Sequence, residues 1–143
     1  MTTPSNPPIL KYGPPISLDL AKRIVAAAEA EAAAQSWPMV IAIVDSGGRL
    51  KILHRHDDAQ LGSIDVAQRK AETALKFKRP TKAFEDALIA GGPGFRMLSV
   101  TDVCMLEGGL PIAQDGAIIG AIGVSGMTSA QDAQVAVAGL RVL

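Results

Sequence analysis

The stretch MVIAIVDSGGRLKILHRH, residues 39–56, constrains the fold more than any other part of the chain. Residues 39–45 form an unbroken apolar run rich in β-branched side chains, which predicts a strand buried on both faces. Ser46, Gly47 and Gly48 supply turn chemistry, and residues 49–56 alternate polar with apolar, so the two runs predict a hairpin. A strand with no wet face must be covered on both sides, and the flanking sequence supplies the covers.

Ser17 is placed as an N-cap with Asp19 in the first turn, and Leu18, Ala21, Val25, Ala28 and Ala32 recur at helical spacing until Trp37-Pro38. A second helix is predicted after Ser63, with Ile64, Ala67, Ala71 and Leu75 on one face and Pro80 as its stop. TKAFEDALIA (residues 81–90) predicts a shorter helix and GGPGF (91–95) a loop. Strands are expected within 99–109, at 110–113 and at 117–126, with a last helix capped by Ser129. The order predicts an α+β fold: a largely antiparallel five-stranded sheet covered by helices, not a doubly wound nucleotide fold. Pro4, Pro7, Pro8, Pro14 and Pro15 make residues 1–16 an extended arm, leaving 17–143 as one domain.

With 143 residues, one core suffices without a disulfide or structural metal. Fourteen basic and 14 acidic residues give no net field for a nucleic-acid backbone or an anionic membrane, so neither is expected as a partner. Cys104 stands alone, no apolar stretch is long enough for a bilayer, and no secretory leader is evident, so a cytoplasmic location is expected. Aromatics are only 3% of residues against 48% hydrophobic, which predicts a core of small aliphatic side chains and apolar surface to bury in a homo-oligomer.

Both histidines lie at the end of the hairpin, in HRHDD (residues 54–58). Residues two apart on a strand share a face, with Cα atoms about 6.6 Å apart. His54 and His56 could therefore act as an acid/base pair, hold a divalent metal with Asp58, ligate a haem iron, or simply decorate a solvated strand end. Arg55 should face the opposite side, where Asp45 could pair with it or an anionic ligand could take its place. Lys70 either turns to the sheet, as a paired cation or a carboxylate-binding one, or snorkels to water. Gly108 and Gly109 could present backbone N–H groups to an anion, and the preceding Glu107 is a candidate base. Asp57 and Ser125 complete the candidate ligand-binding residues. Cys104 and Met105 fit an apolar strand, although either sulfur could ligate haem iron.

VDSGGRL, RHDDAQLGSIDVAQRKAETALKF, RPT, GGLPI and GAIGVSG followed by Asp132 together resemble the GlcG/HbpS family of haem-binding and haem-degrading-like domains. Related domains form the C-terminal part of some corrinoid adenosyltransferases. The resemblance runs from about residue 17 to the C-terminus and implies a roadblock- or profilin-like sheet domain that forms homo-oligomers, often with haem or another tetrapyrrole bound. His56 and Asp58 stand where that pattern commonly has an apolar residue and a glycine. Three functions follow as expectations: a tetrapyrrole or other small anionic ligand bound near His54 and His56; a small cofactor-independent or metal-assisted isomerase or lyase acting on a carboxylated catabolic intermediate; or an assembly module without a ligand.

Overall fold

The computed structural model describes residues 9–143. The Pro-rich stretch through Pro8 lies outside the described residues. Next to it, Lys11–Tyr12 form a short strand, β1, and Ile16 is buried in the core. Ser17 caps helix α1 (Leu18–Gln35) as its sequence predicts, its hydroxyl accepting from the N–H of Leu20 at 3.1 Å. The helix ends at Ser36 in the left-handed region.

The hairpin is β2 (Val40–Asp45) and β3 (Leu50–Arg55), with Val40 opposite Arg55. Both faces of β2 are buried, by alternation: Met39, Ile41 and Ile43 pack with α1, while Val40, Ala42 and Val44 pack with helix α2 (Gly62–Phe77). The α2 backbone begins at Leu61 with no side-chain cap. Ser63 lies one position inside the helix, where its hydroxyl accepts from Ser125 and Gln60 instead.

Helix α3 (Lys82–Ala90) follows, and GGPGF, expected as a loop, opens a 3-10 helix over Gly92–Ser99. The strand expected within 99–109 does not form. Asp102 has φ +60°, which breaks extended backbone, and the N–H of Cys104 donates to Thr73 Oγ1 rather than to a neighbouring strand. The fifth strand of the sheet is β1 instead.

Strands β4 (Gly109–Gln114) and β5 (Ala117–Ser125) form the second hairpin. β4 occupies one side of β5. β2 takes residues 120–125 of the other side and β1 continues that side at 117–118, running parallel to β5. The sheet is therefore mixed, where a largely antiparallel one is expected from the hairpins alone. Helix α4 (Ser129–Leu140) joins α1 on the face opposite α2. Its N-cap is Thr128, not Ser129, in a capping box with Gln131.

Two glycines let α2 lie directly on the sheet. A Cβ on Gly123 would collide with the Ala67 carbonyl and reach within 2.6 Å of Ala71 N; one on Gly109 would collide with the Lys70 carbonyl. Small residues thus set the separation of the layers, as the low aromatic content requires.

Candidate functional site

His54 ends the α1-facing row of β3, beyond Ile52, and His56 follows two residues on. Both imidazoles reach one carboxylate, Glu29 of α1. His54 Nδ1 lies 2.7 Å from Glu29 Oε1 and His56 Nε2 lies 3.2 Å from Glu29 Oε2. The shared face predicted from their spacing is present. His56 Nδ1 in turn accepts the backbone N–H of Met39 at 3.0 Å. Among the described residues, Nε2 of His54 has no hydrogen-bond partner, and that side chain is 48% exposed.

Next to Glu29 and His56 opens a cleft of about 490 Å³, lined by Glu29, Ala32, Ala33 and Ser36 of the α1 end, then Trp37 and Pro38, then His56, Asp57 and Asp58; His54, on the same carboxylate, does not line it. Its lining mixes the apolar Ala32, Ala33, Trp37 and Pro38 with the carboxylates of Glu29, Asp57 and Asp58. Asp57 and Asp58 are thus brought to the site with His56. They do not complete a metal centre: among the described residues no group of three or more His, Cys, Asp or Glu side chains is placed to hold a metal ion. The divalent-metal expectation for His54, His56 and Asp58 therefore has no support, since three of the four ring nitrogens are engaged by Glu29 and Met39.

The other candidates lie elsewhere. Arg55 is exposed and cannot reach Asp45, because it stands opposite Val40 at the far end of β2. Five residues of strand separate the two, roughly 17 Å. Asp45 instead accepts the N–H groups of Gly47 and Arg49 and closes the hairpin turn. Ser125 ends β5 and donates to the Ser63 hydroxyl at 3.0 Å. Gly108 and Gly109 are buried; the Gly109 N–H donates to Thr81 Oγ1 and the Gly108 carbonyl accepts from Val124, so these groups hold the fold together. Glu107 does not line the cleft; its N–H faces Glu85. Cys104 is buried, but in an irregular segment, as is Met105.

Lys70 turns inward, with 1% of its side chain exposed, and does not snorkel. Its ammonium donates to Asp132 Oδ2 at 2.8 Å and to the Val124 carbonyl at 2.9 Å. Asp132 Oδ1 accepts the N–H of Met127. Burial pushes the Asp132 carboxyl above its ordinary range, against the opposing pull of Lys70 and of the Met127 and Gly126 N–H groups. This enclosed pair ties α2 to the start of α4 and offers no open charge to a ligand.

Glu29 is the site residue that the histidine motif does not reveal. It follows Val25 by four positions and precedes Ala32 by three, which puts a carboxylate on the edge of the buried stripe of α1. A carboxylate at that register, in the alanine-rich second half of the helix, is the signal that points to it.

The family described as haem degrading protein HbpS-like matches residues 16–141. The chain is 43% identical to protein GlcG of Escherichia coli over 110 residues, 77% of this chain and 81% of GlcG. Among solved structures, a double mutant of HbpS from Streptomyces reticuli superposes with a TM-score of 0.83 at 29% identity, covering 98% of this chain and 99% of that one. A complex of PduOC with heme superposes with a TM-score of 0.81 at 28% identity, covering 90% and 95%. No helix among the described residues is long and apolar enough to cross a membrane.

Proposed function

The chain belongs to the HbpS-like family, and from that premise we propose that it binds haem or a related tetrapyrrole where His54 and His56 meet Glu29. The observation that carries this reading is an exposed imidazole, His54, held by the carboxylate of Glu29, whose other oxygen meets His56 in the lining of a partly apolar cleft. A cleft of about 490 Å³ lies within the range of small-molecule and cofactor sites. Trp37, Pro38, Ala32 and Ala33 offer a surface for part of a macrocycle, and an imidazole nitrogen suits its iron. Glu29, Asp57 and Asp58 offer no partner to propionates, so affinity rests on the metal and on the apolar lining residues.

An isomerase or lyase of carboxylated substrates is less well supported: no cation lines the cleft to hold a substrate carboxylate, and such a substrate lacks the iron that lets haem bind through an imidazole without paired propionates.

The test is a haem titration of the wild type, His54→Ala and His56→Ala, followed at the Soret band. Saturable binding is expected, with the band weakened or shifted most in His54→Ala. Absence of saturable binding by the wild type, or binding indifferent to both substitutions, would overturn the proposal.

A further inference from the structure

The hydrogen bonds around Glu29 fix where each proton sits. A peptide N–H can only donate, so the Met39 N–H at 3.0 Å requires a lone pair on His56 Nδ1. The neutral His56 ring then carries its proton on Nε2, which donates to Glu29 Oε2. The other carboxylate oxygen, at 2.7 Å, accepts from His54 Nδ1, within the length range of a charge-assisted hydrogen bond. With its proton on Nδ1, neutral His54 has its one free lone pair on Nε2, the nitrogen without a hydrogen-bond partner among the described residues, on a side chain 48% exposed.

We infer that Glu29 is a positioning residue: with Met39 and His56 behind it, it sets the His54 tautomer and presents His54 Nε2 as the donor to a Lewis-acidic metal centre. This deepens the tetrapyrrole reading and rests on it for the identity of the metal, the iron of the macrocycle. It also separates the two histidines. Both ring nitrogens of His56 are engaged, so His56 could ligate only by releasing Glu29 or Met39, whereas His54 ligates with every observed contact kept. A carboxylate on the far nitrogen of a metal-binding imidazole fixes the ring and raises its basicity. Because Glu29 is a third exposed and His54 about half, the contact adds little to folding, and Glu29→Gln should leave the fold intact.

Two measurements test the inference. The first needs no haem. Long-range ¹⁵N–¹H correlation on the protein alone reports the tautomers, and the chain has only two histidines to assign. The expected result at a pH where both rings are neutral is a proton on Nδ1 of His54 and on Nε2 of His56; the opposite tautomer at His54 would refute the relay. The second reconstitutes wild type, Glu29→Gln, His54→Ala and the double variant Glu29→Gln/His56→Ala with haem. Glu29→Gln should keep a histidine-ligated spectrum, bind haem about 10- to 100-fold more weakly and show a more positive Fe(III)/Fe(II) midpoint potential. A merely structural role would not move the potential. His56→Ala should add nothing in the Glu29→Gln background, because His56 acts through Glu29. Loss of ligation in His54→Ala with wild-type affinity and potential in Glu29→Gln would sink the relay and leave the tetrapyrrole reading standing. Failure of the wild type to bind haem, with the expected tautomers present, would sink the choice of iron and not the proton arrangement.

Discussion

Removing the Lys70 ammonium should destabilise the protein far more than any exposed charge would. In Lys70→Met the volume is nearly kept, but the Asp132 carboxylate, with 3% of its side chain exposed, loses its counter-ion and the Val124 carbonyl loses a donor. Breaking a buried pair in this way costs about 3–5 kcal/mol. Asp132→Asn keeps an oxygen for the Met127 N–H and strands the lysine instead, at a similar cost of about 3–5 kcal/mol. The double variant buries no charge. Its main loss is the unpaired Val124 carbonyl, about 1–3 kcal/mol, so it should be more stable than either single variant. In urea, with a slope of about 2 kcal/mol/M, each single variant should shift the midpoint down by roughly 1.5–2.5 M and the double by about 0.5–1.5 M. Should a single variant be unfolded before urea is added, recovery of a transition in the double gives the same answer. Additive losses, or a loss below about 1 kcal/mol in Lys70→Met, would refute the reasoning.

Gly123→Ala should cost about 3 kcal/mol, the upper part of the overpacking range, because the new methyl meets α2 backbone that no rotamer can move aside. Thermal unfolding should fall by roughly 10 °C, while Gly62→Ala, which meets nothing within 4 Å, should be neutral or stabilising; equal effects would count against a glycine floor under α2. The raised Asp132 carboxyl gives a pH signature. Between its ordinary value of 3.8 and the higher folded value, the native state binds more protons than the unfolded chain. The stability of the wild type minus that of Asp132→Asn should therefore decline as pH rises through that window and level off above it. A difference that grew with pH, measured by urea unfolding across the acid range, would reverse the sign of the shift.

Local patterns foretold local structure. The apolar run at 39–45 does lie between two helical layers, and the two-residue spacing of His54 and His56 does bring them to one face. What failed were pairings set by distance along the fold. Arg55 was expected near Asp45 because both end strands, yet in a hairpin the end of the second strand lies opposite the start of the first. Glu29 is separated from His54 by 25 residues, and Lys70 from Asp132 by 62, so no window of sequence holds both partners. Periodicity did place Lys70 three residues after the buried Ala67, in register with the core stripe of α2, which was the better guide than the habit of lysines to reach water. The strand expected before Glu107 failed for a local reason, the left-handed Asp102, and β1 formed from two residues whose short pairing carries no alternation to read.

The borders of the sheet limit how this chain can meet another copy of itself. On the outer side of β4, Gly109 exchanges hydrogen bonds with Thr81: Thr81 N–H donates to the Gly109 carbonyl and Gly109 N–H to Thr81 Oγ1. Because Val124 N–H bonds to the Gly108 carbonyl, the antiparallel alternation turns the nitrogen of Pro111 outward, where proline has no hydrogen to offer. On the other border, β3 carries Lys51 and Arg55, whose charges oppose a like strand laid beside them. Strand addition is thus opposed along β4 and along β3, and the large apolar side chains open to a second copy stand instead on helical and loop surfaces, at Leu61, Ile89, Phe95 and Leu98.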